Sequence, residues 1–202
     1  HHRQSGAGDQ QHPAHQPVSW LSSALWGLND TALLARLRRG PRPAIPLVVD
    51  DEWREPERVE ALMGDVFDLA GEAHRLPLPI DWLTNPSRDV EWHILLHKAY
   101  YLPGLVAAWQ ATGLERYVQR WAALVGDWLD RDVPPGFIAV DVTGRRVQNW
   151  VYSLHALLAD PVLLAPLDAR LVRRMLASLS TQVDHLCEHL TPKRNHRTIE
   201  LL

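Results

Sequence analysis

The chain has a single cysteine, Cys187, so no internal disulfide can form, and no zinc-type Cys/His cluster is present. Cys187 falls in an apolar helical stripe, where it reads as a small filler rather than a reactive thiol. Walker and Rossmann glycine loops are both missing, so no cofactor and no metal is expected. No apolar run reaches about 18 residues, so no membrane partner is expected. No signal-peptide pattern is visible, although a start at His1 rather than Met leaves a removed leader open. Excess positive charge is also lacking. The net charge of −3 argues against a nucleic-acid partner, and an acidic ligand would have to be met by local Arg, His or amide groups. No internal repeat of constant period and no strand alternation long enough for a sheet domain appear.

What the chain does have is enough apolar sequence, 46%, to bury a core, and nine tryptophans. Trp packs cores and also stacks on sugar rings. Residues 1–18 are rich in Gln, His, Gly and Pro and read as a flexible tail. Residues 19–80 read as a helical and extended lead-in. Two helical pieces lie within 19–39, with Asn29-Asp30-Thr31 as a cap and Gly40-Pro41 as a stop. A short helix is expected from Pro56 to about Leu69, and Leu76-Pro77-Leu78-Pro79-Ile80 must be extended.

Beyond residue 92 four apolar stripes predict four main helices in consecutive antiparallel pairs. Leu95, Leu96, Ala99, Tyr100, Leu105, Val106 and Trp109 trace the first, with Pro103 as a kink and Gly113 as the stop. Tyr117 to Leu129 carry the second. A third starts near Arg146 and ends at Asp160-Pro161. Asp168 caps the fourth, which runs to Leu190 before Thr191-Pro192. The fold class is therefore all-α. Periodicity alone does not separate a toroid from a bundle or a solenoid.

Several short pieces recur in a definite order: Asp81-Trp82, Asn85-Pro86, Glu91-Trp92, Ala107 to Gly113 followed by Tyr117, Asp127-Trp128, Gly144-Arg145-Arg146 with Asn149-Trp150, and Asn195-His196 with Glu200. In order and spacing they resemble the N-terminal toroid of the heparinase II/III-like polysaccharide lyases, over residues 81–202. The resemblance implies the front part of an incomplete (α/α) toroid, an acidic polysaccharide as partner, and a periplasmic or secreted setting. Leu96-His97-Lys98 stands where the family often has Leu-Asn-Arg. The family's catalytic tyrosine and its β-sandwich domain lie further along than Leu202. The 202 residues alone are therefore expected to be inactive, and to self-associate through the apolar edge left where further helices would pack.

The resemblance further implies β-elimination at a uronic acid. A base takes the proton at C5 and the oxygen at C4 leaves. The ionised carboxylate beside C5 opposes the developing charge and must be met by fixed donors. Asn195 and His196 are the catalytic candidates. Asn195 is either that carboxylate neutraliser or a helix N-cap. His196 is a base, a second donor, or a residue that orients Asn195. Glu200 either fixes its ring or is a solvated carboxylate. Arg146 and Asn149, read as three apart at a helix start, are candidate substrate-binding residues. The other reading of Arg146 is a structural Arg holding helix-end carbonyls. Trp92 and Trp150 stack on sugar or pack the core. Asp89 and Glu91 raise a hydrolytic pair, against which Asp89 reads as a helix cap. Competing functions are an α/α-toroid glycoside hydrolase, a non-catalytic helical glycan-binding module and a helical scaffold.

Overall fold

The computed structural model describes residues 22–190. Helix α1 spans Ser23–Trp26 and α2 spans Asp30–Arg39. Asn29 caps α2 by accepting from the Ala32 amide at 2.9 Å, and Gly40 ends it, as the sequence predicts. A 3₁₀ turn, Asp51–Arg54, leads into α3, Pro56–Met63. The helix expected to reach Leu69 stops six residues early. Gly64 caps it, Asp65 turns to φ +68°, and the chain pairs as β1, Val66–Leu69, with β2, Glu72–Arg75. Ala70 and Gly71 both take positive φ, the pattern that closes a two-residue hairpin. Phe67 and Leu69 point into the core from this hairpin, which is the only sheet among the described residues.

Five helices follow: α4, Val90–Lys98; α5, Tyr101–Thr112; α6, Arg116–Asp130; α7, Val140–Ala159; and α8, Ala169–Glu188. Asp89 caps α4 and Asp168 caps α8, each accepting a backbone N–H at 2.9 Å. Gly113, at φ +70°, ends α5 with its N–H on the Trp109 carbonyl, and the three-residue link folds α6 back onto α5. α7 packs on α4, α5 and α8, and α2 lies across α8. The predominantly helical class is as expected, but two boundaries differ. The first stripe is two helices, because the chain breaks at Ala99, φ +59°, and not at Pro103. Pro103 sits in the first turn of α5, where no intrahelical donor is lost. The third helix begins at Val140, six residues before Arg146.

Seven tryptophans are core residues: Trp53, Trp82, Trp92, Trp109, Trp121, Trp128 and Trp150 are each at most 5% exposed. In α8 the stripe turns Val172, Met175, Leu179 and Leu186 inward. Cys187, read as a filler, is exposed instead, one position round from Leu186. No described helix is long and apolar enough to cross a membrane. The tail expected over residues 1–18 lies outside the described residues.

Close packing sets a test at Gly104, where α5 rests on the 3₁₀ turn. A Cβ there would lie 2.9 Å from both the Cβ and the carbonyl oxygen of Trp53. Gly104→Ala should destabilise the fold by about 1–3 kcal/mol and lower the melting temperature by several degrees, read by circular dichroism.

Candidate functional site

The polar groups of this helical layer converge where α4 ends. A helix leaves its last carbonyls without intrahelical partners, and Ala99 in the left-handed region diverts the backbone that would otherwise supply them. Side chains take over. Tyr101 Oη donates to the Leu96 carbonyl at 3.0 Å, Arg146 Nη1 to that of His97 at 3.4 Å, and Asn149 Nδ2 to that of Lys98 at 2.8 Å. Arg146 and Asn149 are one turn apart on α7 and so face the same helix end.

Arg146 does more than cap α4. Its Nε donates to Gln182 Oε1 of α8 at 2.7 Å, and its Nη2 donates to the Pro135 carbonyl at 2.8 Å. Thr143 Oγ1 donates to the same carbonyl at 2.6 Å. The guanidinium carbon stands 4.9 Å from the centre of the Trp128 ring. Arg146 is 1% exposed, and none of the ion pairs among the described residues includes it. Burial lowers its pKa to about 9, so it remains a cation at neutral pH.

A histidine pair closes the other side. His93 and His97, a turn apart on α4, both point Nε2 at the Trp82 carbonyl, at 2.9 and 2.7 Å. A carbonyl only accepts, so both rings carry the proton on Nε2. Burial drives the His97 pKa down to about 3, helped by the nearby Arg146 charge, so the ring is neutral. Phe137 packs on both rings. Trp82 is itself held by Asp127, whose Oδ2 accepts from the Trp82 indole at 2.8 Å and from the Ile80 amide at 3.0 Å. The Asp81-Trp82 and Asp127-Trp128 pieces thus meet in space.

The loop between α6 and α7 is pinned from two sides. Arg146 and Thr143 hold Pro135. His185 of α8 lies so close to Gly136 that a Cβ there would be 2.2 Å from its Nε2. His185 stacks on His189 with ring centres 4.1 Å apart, and burial holds its pKa below the usual imidazole value.

Set beside the sequence reading, Arg146 and Asn149 come together, but in the second and third turns of α7 and in the interior rather than at a helix start facing a cleft. Arg146 fits its alternative reading, an arginine bound to helix-end carbonyls. In this structure every donor named above is spent on the chain. Trp92 and Trp150, 0% and 2% exposed, have no face open to a sugar. Trp92 donates its indole N–H to the Glu72 carbonyl at 2.8 Å, and Trp150 packs edge-on against Trp128. Asp89 caps α4 through the Glu91 amide, which removes half of the hydrolytic pair. Asn195, His196 and Glu200 lie outside the described residues. No group of His, Cys, Asp and Glu among the described residues could hold a metal. Thr143, Gln182 and His93 were missed by the sequence reading, which noted His97 only as a departure from the family's Leu-Asn-Arg. The i, i+4 histidines on the Leu96 face of an apolar helix were the available signal.

Two substitutions test the network. Arg146→Met leaves the His97 carbonyl and Gln182 Oε1 buried without donors, and should cost roughly 2–6 kcal/mol in urea unfolding, at about 1–3 kcal/mol per orphaned group. His97 has a depressed native pKa, so it contributes stability that is complete above its unfolded pKa near 6.5 and is lost as pH falls toward about 3. Urea melts between pH 4 and 7 should show stability falling with pH, and His97→Asn should remove up to about 1.4 kcal/mol per pH unit of that slope. An unchanged slope would show that His97 does not titrate as the geometry requires.

With this geometry in hand, comparison with known proteins gives a consistent result. The Heparinase II/III N-terminus family model matches residues 70–202. Heparan sulfate lyase HepC from Pedobacter heparinus is similar in structure, with a TM-score of 0.66 and 22% identity over 85% of this chain and 29% of its own. A solved heparinase III is similar at a TM-score of 0.68 and 15% identity, again over 85% of this chain and 29% of its own. The chain spans 29% of the length of each, and at such identities the likeness establishes the shared helical-toroid fold. No curated protein matches the chain.

Proposed function

Because the chain belongs to the Heparinase II/III N-terminus family, we propose that it is the leading part of the toroid of a polysaccharide lyase that cleaves uronic-acid-containing polysaccharide by β-elimination. The observation that carries this reading is the family match over residues 70–202, a span that contains Asn195-His196 as well as the Arg146 network. The structural relatives named as a heparan sulfate lyase and a heparinase point to the same substrate class, an acidic polysaccharide.

The chemistry assigns roles by donor type. Deprotonation at C5 places charge beside an ionised carboxylate, and the Asn195 amide, with two N–H donors, neutralises that group as the charge grows. His196 takes the proton or supplies a further donor, and the C4 oxygen leaves as the C4–C5 double bond forms. Arg146 and Asn149 act at a distance in this scheme. They fix the end of α4, the Pro135 loop and α8, and α8 is the element that leads toward Asn195.

In the longest form of the protein that carries this chain, Asn195→Ala should lower lyase turnover by about 10²–10³ while the fold is retained. Turnover is followed by the ultraviolet absorbance of the unsaturated uronate product on heparan, alginate and hyaluronan, beside thermal melts. A helix-cap role predicts the opposite pattern, near-normal turnover with about 1 kcal/mol of lost stability. No activity of the parent protein on any uronate polymer would sink the lyase reading itself.

A further inference from the structure

Where the lead-in meets α7 and α8 the chain encloses an apolar pocket of about 710 Å³. α7 contributes Leu154 and Leu158 to its lining, α8 contributes Leu176 and Leu179, and α1 contributes Leu25 and Leu28. The end of α2 and residues 40–43 complete it. Its polar side chains are few and mostly spent on the chain. Arg42 Nη1 donates to the Leu37 and Arg38 carbonyls at 2.8 and 2.7 Å, and His155 Nε2 donates to the Pro43 carbonyl at 2.9 Å. Arg36, which is exposed, is the cation left at the rim.

Two observations bear on what covers this surface. Helix α1 has four residues, none of them buried, and no side-chain cap. A helix that short is not stable alone and needs its apolar side packed. Arg173 of α8 donates to the Trp26 and Leu28 carbonyls and so ties down the end of α1, but Leu25 and Leu28 line open space. The second observation is in the sequence. Ser22, from which the chain enters α1, also lines the pocket, and the residues before it read Val18-Ser19-Trp20-Leu21. Val18, Trp20 and Leu21 are the large apolar side chains of residues 1–21. Two residues span at most about 7 Å, so the backbone carries Trp20 no further than that from Ser22.

We propose that residues 18–21, which lie outside the described residues, dock in this pocket with the Trp20 indole as the anchor and so pin the lead-in to α7 and α8. The occupant fits by chemistry. A buried Trp removes roughly 150–250 Å² from water, and Val18 and Leu21 extend the apolar contact. The indole is uncharged and places no charge against the leucines, while its face suits the Arg36 guanidinium at the rim. It fits by connection as well. A segment joined to the pocket wall competes at an effective concentration in the roughly millimolar range, which a second copy or a free peptide does not reach in dilute solution. The docked segment closes the lead-in onto the helices whatever reaction the parent protein carries out.

The test uses the whole chain labelled with 5-fluorotryptophan, with the Trp20 ¹⁹F signal assigned by its loss in Trp20→Phe. A soluble gadolinium chelate should broaden that signal no more than the signals of the seven core tryptophans. The Trp20 ring protons should show nuclear Overhauser contacts to the methyls of Leu154 and Leu176. Trp20→Ser should open the pocket and raise the fluorescence of an anilinonaphthalene sulfonate dye several-fold, with the helical circular dichroism retained. A Trp20 signal as exposed as free tryptophan, contacts to methyls outside the pocket, or no gain of dye in Trp20→Ser would each overturn the proposal. Two further outcomes overturn it by naming another occupant. Protection that disappears on dilution, together with a dimer-to-monomer shift in sedimentation, assigns the pocket to a second copy. Protection that disappears in a longer form of the protein assigns it to residues beyond Leu202.

Discussion

A cation buried away from water must be solvated by the chain, and Arg146 is the point at which this fold meets that requirement. Its guanidinium has no ion-pair partner among the described residues, only oxygens on Gln182, Pro135, His97 and Thr143 and the face of Trp128. Five N–H donors in a rigid plane match acceptors that arrive from separate elements. The end of α4, the α6–α7 loop and α8 therefore have one arrangement in which the charge is satisfied. Desolvation costs several kcal/mol for an isolated ion, so displacing any one partner is penalised beyond the loss of its own bond.

The same logic explains the break between α4 and α5. A continuous helix would hydrogen-bond its own carbonyls and leave Asn149, Tyr101 and Nη1 of Arg146 without those acceptors. With Ala99 held left-handed, at a cost of about 1–3 kcal/mol for a strained backbone, three carbonyls are freed and three side chains meet them. His93 and the neutral His97 add a second anchor from the same helix, on the Trp82 carbonyl, and Asp127 holds Trp82 from α6. Each anchor joins elements distant in sequence, so the polar interior fixes register where apolar packing alone leaves freedom to slide.

Much of the helical framework was legible in the sequence. The Tyr117 to Leu129 stripe became α6 nearly residue for residue, and Asn29, Asp89, Asp168 and Gly113 mark ends through local chemistry that one sequence displays. The failures have physical causes. Val140 to Gly144 is β-branched and glycine-containing and reads as non-helical by propensity, but Thr143 and the Pro135 carbonyl make that turn worth forming. The hairpin is too short for an alternation to register. Ala99 carries no mark of a left-handed position. The candidate site was partly legible: Arg146 and Asn149 were singled out, but an arginine without a carboxylate in the interior looks on paper like one facing solvent. Asn195 and His196 rest on the family pattern, beyond the described residues.

The placement of α8 then follows from contacts on successive turns. Gln182 is tied to Arg146, His185 is seated against Gly136, and Leu186 is buried beside them. These positions are three and four residues apart, so they register both the height and the rotation of the helix against α7 and the loop. A fully apolar α8 interface would bury as much surface but would specify rotation less sharply, because hydrophobic contact is non-directional and the Arg146–Gln182 hydrogen bond is not.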